Sequence, residues 1–279
     1  MQQSPTAAYL CPPGFEGPKG LAILREASLL LEAGRFARRR AAVRRTQRGR
    51  PWVDRPVPPL DADPVLLVPG FMAGDYTLRP MAHYLRGQGY RTYASHIRSN
   101  SACLADTADA LERRIESIAI KRDRPVTLVG HSLGGLLSRG LAARLPDLVS
   151  GIVTMGSPLL APSAVHQLLL VNVQLLLVLQ RHGFPKVMGA DCTAGECAAK
   201  MWHEAQQPVA DDLAFTSVYS ERDGIMDWRA CLDPAATHVG VPSSHCGMAI
   251  DPVVFDVVTG ALADITAQRL RQQVRAVAP

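Results

Sequence analysis

The chain has 279 residues, of which 47% are hydrophobic and 20% charged, enough apolar material to bury one sizeable core. Its formal net charge of +5 is local, because residues 35–55 hold nine arginines against Asp54, a charge of +8 that leaves −3 on the remainder. One arginine-rich segment on a mildly acidic body, with only 5% aromatic residues, argues against a nucleic-acid partner and offers no stacking platform for carbohydrate.

Met1 to Leu10 lacks the basic start and apolar core of a secretory signal, so a cytoplasmic location is the default expectation. Residues 20–45 read as a helix with an apolar first half (Leu21, Ile23, Leu24, Leu29, Leu30, Leu31) and a basic second half, interrupted by Gly34. Two readings stay open. The segment either lies on an anionic membrane surface, making a lipid surface a peripheral partner and the protein membrane-associated, or packs as an N-terminal helix with a solvated arginine face. Pro51 to Pro64 then read as an extended connection, so residues 1–63 form an arm and residues 64–279 the main domain.

Within 64–279, strand-like runs at Val65–Val68, Tyr90–His96, Val126–Val129, Gly151–Met155, Phe215–Tyr219 and Thr237–Val241 alternate with helical patterns. The helices fall near 80–87, 104–120, 133–144 and 252–270. Such alternation predicts an α/β fold, a mostly parallel sheet covered by helices on both faces. Residues 157–210 break the alternation and are too long for a simple crossover. They contain an intensely apolar stretch from Val165 to Leu179, read as a helix; His166, Gln167, Asn172 and Gln174 interrupt it too early for a membrane span.

Gly130-His131-Ser132-Leu133-Gly134 lies between a strand-like and a helix-like run. A serine hydroxyl is a weak nucleophile unless a base takes its proton, and a tight strand-to-helix turn holds it where a base can reach. Glycines on either side suit a backbone with no room for side chains, and the Leu133 amide is aimed at the place where charge builds on an attacked carbonyl. Downstream, Asp223 follows the strand ending at Tyr219, and His245 lies in the loop between the last strand and the last helix. The chain order of acid and base is the one such a serine requires. Asp227, four residues on, is the competing acid. His83, His96, His131, His166, His182, His203 and His238 compete less well with His245, since none combines that order with that loop.

These residues resemble the α/β-hydrolase superfamily, and more narrowly its lipase and esterase branch, over roughly residues 64–270. Val65-Leu66-Leu67-Val68-Pro69-Gly70-Phe71-Met72 looks like the strand and oxyanion loop of small lipases; the resemblance makes the Phe71 amide the second oxyanion donor, with Leu133 the first. The usual His-Gly of that loop reads Pro69-Gly70 here, which leaves the backbone donor intact. The resemblance further implies that 157–210 is a cap, and an apolar cap over Ser132 favours hydrophobic acyl groups. The expected activity is carboxylic ester hydrolysis through an acyl-enzyme. Acyl transfer by the same triad, and a membrane-surface interaction protein that retains a hydrolase body, are the alternatives.

No cofactor is expected, and no metal, because the Cys and His spacings lack the paired geometry of a zinc site. Six cysteines form an even set. Spacing favours a bridge between Cys231 and Cys246, which would tie the acid and base loops and contribute roughly 3 kcal/mol, while Cys192 and Cys197 could staple a short turn. In a reducing compartment all six would be thiols. Substrate identity and oligomeric state are not legible.

Overall fold

A computed structural model describes residues 6–46, 59 and 61–277. The predicted Pro-rich connection falls mostly outside the described residues. Six strands form one sheet: β1 Pro64–Val68, β2 Arg91–Ala94, β3 Val126–His131, β4 Val149–Met155, β5 Ala214–Tyr219 and β6 Thr237–Gly240. All five pairings are parallel, in the order β2-β1-β3-β4-β5-β6. Each strand overlaps its predicted run, with ends moved by at most a few residues.

The alternation of side chains along β1 shows how the layers assemble. Leu66 and Val68 pack with Leu128 of β3 and with α3 (Leu104–Arg122) and α4 (Leu133–Arg144). Val65 and Leu67 turn to the opposite face, against α2 (Arg79–Gly87) and α8 (Pro252–Val277). Residues i and i+2 of a strand line one face, so a run apolar at every position is what a sheet buried on both sides needs. Fully buried Phe255 of α8 meets Tyr84 of α2, with ring centroids 5.4 Å apart.

Between β4 and β5 the expected cap holds α5 (Gln167–Arg181), α6 (Asp191–Ala194) and α7 (Glu196–Gln206). His166 starts α5 by accepting the Leu168 N–H on Nδ1, at 3.2 Å. No helix among the described residues is long and apolar enough to cross a membrane.

The N-terminal segment packs onto the body, which is the packed-helix reading, but with the polarity reversed. A 3-10 stretch, Gly20–Ser28, runs into α1, Leu29–Thr46. Leu21, Leu24, Leu30 and Leu31 point outward and are 62–79% exposed, whereas Glu32 is buried. The inward face is polar because its partners are polar. Arg35 donates to both carboxylate oxygens of fully buried Asp251, Nε at 3.1 Å, and Arg39 donates to Asp256 at 2.8 and 2.9 Å. Phe36 adds an edge contact to Phe255, 6.2 Å between centroids.

Of the two states left open for the cysteines, the structure has the thiols: all six are free. Cys231 is buried in a small cluster with Ala161, Ala164 and Met226, whereas Cys246 is exposed. The acid and base loops are instead tied by carboxylates of the N-terminal segment.

Candidate active site

The chain changes direction across the sheet between β1 and β3, and the crevice at the carboxyl ends of these strands is where open α/β sheets place their functional groups. Ser132 sits there, directly after β3 and at the start of α4. Its backbone has φ 52° and ψ −124°, a strained conformation for a residue with a Cβ. The surrounding structure imposes it. The Ser132 N–H donates to the Met155 carbonyl (2.8 Å), and its own carbonyl accepts from Gly135 and Leu136 as α4 begins. A Cβ on Gly130 would lie 2.4 Å from Gly135 Cα, and one on Gly134 would lie 2.2 Å from the Val68 carbonyl oxygen. Glycine is therefore obligatory on both sides of the serine.

The loop after β1 lies alongside. Asn100 donates from its side chain to the Pro69 carbonyl (2.9 Å), and the Met72 amide donates to the Asn100 carbonyl (3.0 Å). Gly70 brings this loop so near that a Cβ there would be 3.0 Å from Ser132 Cβ. The Phe71 and Leu133 amides take no part in the bonds that hold the two loops, and both residues line the cavity beside Ser132.

Asp223 and His245 come together as the sequence order requires. The His245 Nδ1 and Asp223 Oδ2 are 2.6 Å apart, and both residues are buried. The other carboxylate oxygen of Asp223 accepts the Ile225 and Met226 amides at 2.8 and 2.9 Å, which fixes its orientation. Asp227 is engaged elsewhere: it pairs with Arg229 through Nε (2.9 Å) and Nη2 (2.6 Å), and it accepts the Glu16 amide. Of the two candidate acids, Asp223 contacts the imidazole and Asp227 is held by Arg229.

Both sides of the site meet at Gly156, just past β4. The strand's last carbonyl receives the serine amide, and a Cβ on Gly156 would come within 3.1 Å of His245 Nδ1. His131 links them again, with Nε2 3.0 Å from the His245 carbonyl oxygen. Burial and then the nearby His245 charge push His131 down to about 4, so it is neutral at pH 7 and donates from Nε2. For His245, burial alone would lower the pKa, but the charge and hydrogen bond of Asp223, reinforced by Glu26, outweigh it and the net shift is upward. The Ser132 hydroxyl, half-buried at the cavity, is not hydrogen-bonded to the imidazole in this arrangement; such bonds commonly tighten only when substrate is present.

Two acidic residues invisible to motif reading hold the base loop. Glu26 accepts three main-chain N–H groups: Gly224 (3.0 Å) beside the acid, His245 itself (3.0 Å) and Cys246 (2.9 Å). Glu32 accepts the Ser244 amide at 3.0 Å and its hydroxyl at 3.2 Å. Their one sequence signal is a pair of carboxylates six residues apart within a leucine-rich stretch, which amphipathic reading assigns to the wrong face.

The cavity above Ser132 holds about 110 Å³ and is mostly apolar. Phe71, Leu133 and Leu136 form the floor, and Leu169, Leu170 and Val173 of α5 with Met188 and Met201 form the cap side.

The parallel six-stranded sheet covered by helices on both faces is the α/β-hydrolase fold. The family model described as alpha/beta hydrolase fold matches residues 63–184, and the chain has that fold. No curated protein matches it in sequence. Among solved structures, it is similar to the mature lipase BlEst2 of Bacillus licheniformis, with 15% identity, a TM-score of 0.56 and coverage of 75% of this chain and 96% of that one. A carboxylesterase structure from the thaumarchaeon Nitrososphaera gargenis shows 17% identity and a TM-score of 0.51, covering 76% and 93% of the two chains. A monoacylglycerol lipase of Paleococcus ferrophilus shows 18% and 0.50, covering 74% and 93%. At these identities the likeness is one of fold.

Proposed function

We propose that the protein is a serine hydrolase that cleaves carboxylic esters with hydrophobic acyl groups through an acyl-enzyme. The observation that carries the reading is the buried 2.6 Å contact between His245 and Asp223, set against the strained Ser132 turn beneath an apolar cavity. In the mechanism, His245 Nε2 takes the Ser132 proton as Oγ attacks the ester carbonyl. The Phe71 and Leu133 amides hold the oxyanion, and the imidazolium, stabilised by Asp223, returns the proton to the departing alcohol. Water then attacks the acyl-enzyme, with His245 again as base, and releases the acid.

An activity profile over p-nitrophenyl esters from acetyl to palmitoyl tests this reading. Ser132→Ala should lower hydrolysis by several orders of magnitude with unchanged circular dichroism, and full retained activity would overturn it. Acyl transfer uses the same groups, and ester formation with an added alcohol would show it. The reading extends to a peripheral lipid surface as the place of action. Exposed Leu21 and Leu24 lie beside the start of α5, joined by the 3.1 Å contact of His166 Nε2 with the Gly20 carbonyl. Leu168, Val171, Leu175 and Val178 make a further exposed stripe on α5, and exposed Arg38, Arg40 and Arg45 follow on α1. Sedimentation with anionic vesicles, compared for wild type and Leu21→Ser/Leu24→Ser, checks it; equal sedimentation would remove the arm from the reading.

A further inference from the structure

The fold brings together three cysteines that are far apart in sequence. Cys103 precedes α3, Cys192 belongs to α6 and Cys197 to α7, and their three sulfurs lie within 4.8 Å of one another. Cys192 and Cys197 are buried and Cys103 half-buried. No imidazole or carboxylate belongs to the group. The linear pattern, one cysteine followed 89 residues later by a pair spaced by four, gives no zinc signature, so only the tertiary structure exposes it.

The geometry points to a site for a single thiophilic divalent cation, of the zinc or cadmium type, held by the thiolates of Cys103, Cys192 and Cys197. A zinc–sulfur bond of about 2.3 Å places ligating sulfurs about 3.8 Å apart in a tetrahedral arrangement and about 4.0 Å apart in a trigonal one. Cys103 Sγ and Cys197 Sγ are 3.8 Å apart, a separation that needs little adjustment to close around such an ion. A disulfide would require roughly half that distance and would leave the third sulfur without a partner.

Burial pushes the Cys192 thiol up and the Cys197 thiol up to about 12, so without an ion both keep their protons, and main-chain donors oppose that burial cost. The Leu104 and Gly189 amides donate to the Cys192 sulfur and the Ala105 amide to the Cys197 sulfur. Two of these three donors are the first amides of the 19-residue helix α3, whose dipole favours negative charge at that end. Three thiolates around a divalent ion leave one net negative charge, and these are groups able to offset it. Three sulfurs with no oxygen donor select a soft ion over magnesium or calcium. Binding balances simply: three S–H protons pass to solvent, three metal–sulfur bonds form, and nothing is oxidised.

The site would join the cap to the body, because two ligands come from cap helices and one from the loop before α3. Cys192 and Leu104 both line the cavity above Ser132, so the ion would brace one of its walls. The inference does not depend on the ester-hydrolase reading.

The test is titration of the full chain with Cd²⁺ under a phosphine reductant. The expected result is one equivalent bound, a near-ultraviolet thiolate-to-cadmium band, and release of about three protons. Cys103→Ser, Cys192→Ser and Cys197→Ser should each weaken binding at least 10-fold, whereas Cys11→Ser and Cys246→Ser should not. Should a variant fail to fold, alkylation of the wild type in mild urea at alkaline pH, where thiols are modified without cadmium, followed by mass spectrometry gives the same information: Cd²⁺ should slow modification of these three thiols and leave the rates of Cys11 and Cys246 unchanged. Absence of stoichiometric binding, or protection centred on other cysteines, would overturn the proposal.

Discussion

Replacing Glu26 tests whether the N-terminal segment sets the geometry of the base. Its carboxylate accepts three main-chain N–H groups, one from the acid loop and two from the base loop. Hydrogen bonds to a charged acceptor contribute about 1.5–3 kcal/mol each when buried, but all three donors are partly open to solvent and water replaces much of that. Taking about 1 kcal/mol each, Glu26→Ala should destabilise the local fold by about 3 kcal/mol. The loop then relaxes, and a displacement of the imidazole near 1 Å corresponds to a loss in kcat of about 10- to 100-fold. KM should move little, because Glu26 does not line the cavity. Glu26→Gln should fall between, since its single carbonyl oxygen can keep either the Gly224 and His245 bonds or the Cys246 bond. The pH profile separates positioning from mere structure. His245 must be neutral to act as a base, so the acid limb of kcat/KM follows its raised pKa. Removing the Glu26 charge removes one upward contribution and should move that limb to lower pH. Wild-type kcat in Glu26→Ala, together with an unmoved acid limb, would refute the reasoning.

Three further outcomes are expected. Asp223→Asn should lower kcat for a p-nitrophenyl ester by about 10³- to 10⁴-fold, because the amide favours the wrong imidazole tautomer, whereas Asp227→Asn should stay within a few-fold of wild type. His131 is neutral in the fold and charged in the unfolded chain between about pH 4 and 6.5. Its contribution, on the order of 3 kcal/mol, is present above that window and lost as pH falls through it; urea midpoints should drop accordingly and drop less steeply in His131→Asn. His245 acts in the opposite sense, its contribution fading as pH rises through its elevated pKa. Arg35→Ala leaves the Asp251 carboxylate, fully buried, with only Ser243 and the Val253 amide as partners among the described residues. With Arg35 itself about one-third exposed, the cost should be about 1–3 kcal/mol, readable in the same urea titration.

The sheet was legible because its strands are short apolar runs separated by helices, a pattern that tertiary contacts reinforce rather than override. Ser132 was legible because its turn needs glycines at fixed offsets, and Asp223 and His245 because chain order constrains them. Reading by hydrophobicity left the docking face of the N-terminal segment undetermined. Leucines left open a lipid-facing or a packed face, and the face that docks carries Glu26, Glu32, Arg35 and Arg39, since the surface awaiting it presents main-chain amides and carboxylates. The state of the cysteines was open in the sequence for a related reason. Loop length ranks disulfide pairings only if the sulfurs can meet, and the fold buries Cys231 while leaving Cys246 at the surface. The juxtaposition of Cys103 with Cys192 and Cys197 depends on how the cap settles on α3, which no local pattern encodes.

The contacts of Glu26 with residues 224, 245 and 246 span 198 to 220 positions of chain. A ribosome adding about 5–20 residues per second makes the carboxylate some 10 to 40 s before the amides it will receive. Throughout that interval Glu26 lacks the three amides it receives in the fold, and a nascent chain stopped after the nucleophile carries neither acid nor base. Maturation of the centre is thereby deferred until residue 246 has been made, and it then draws on a carboxylate synthesised about 200 residues earlier.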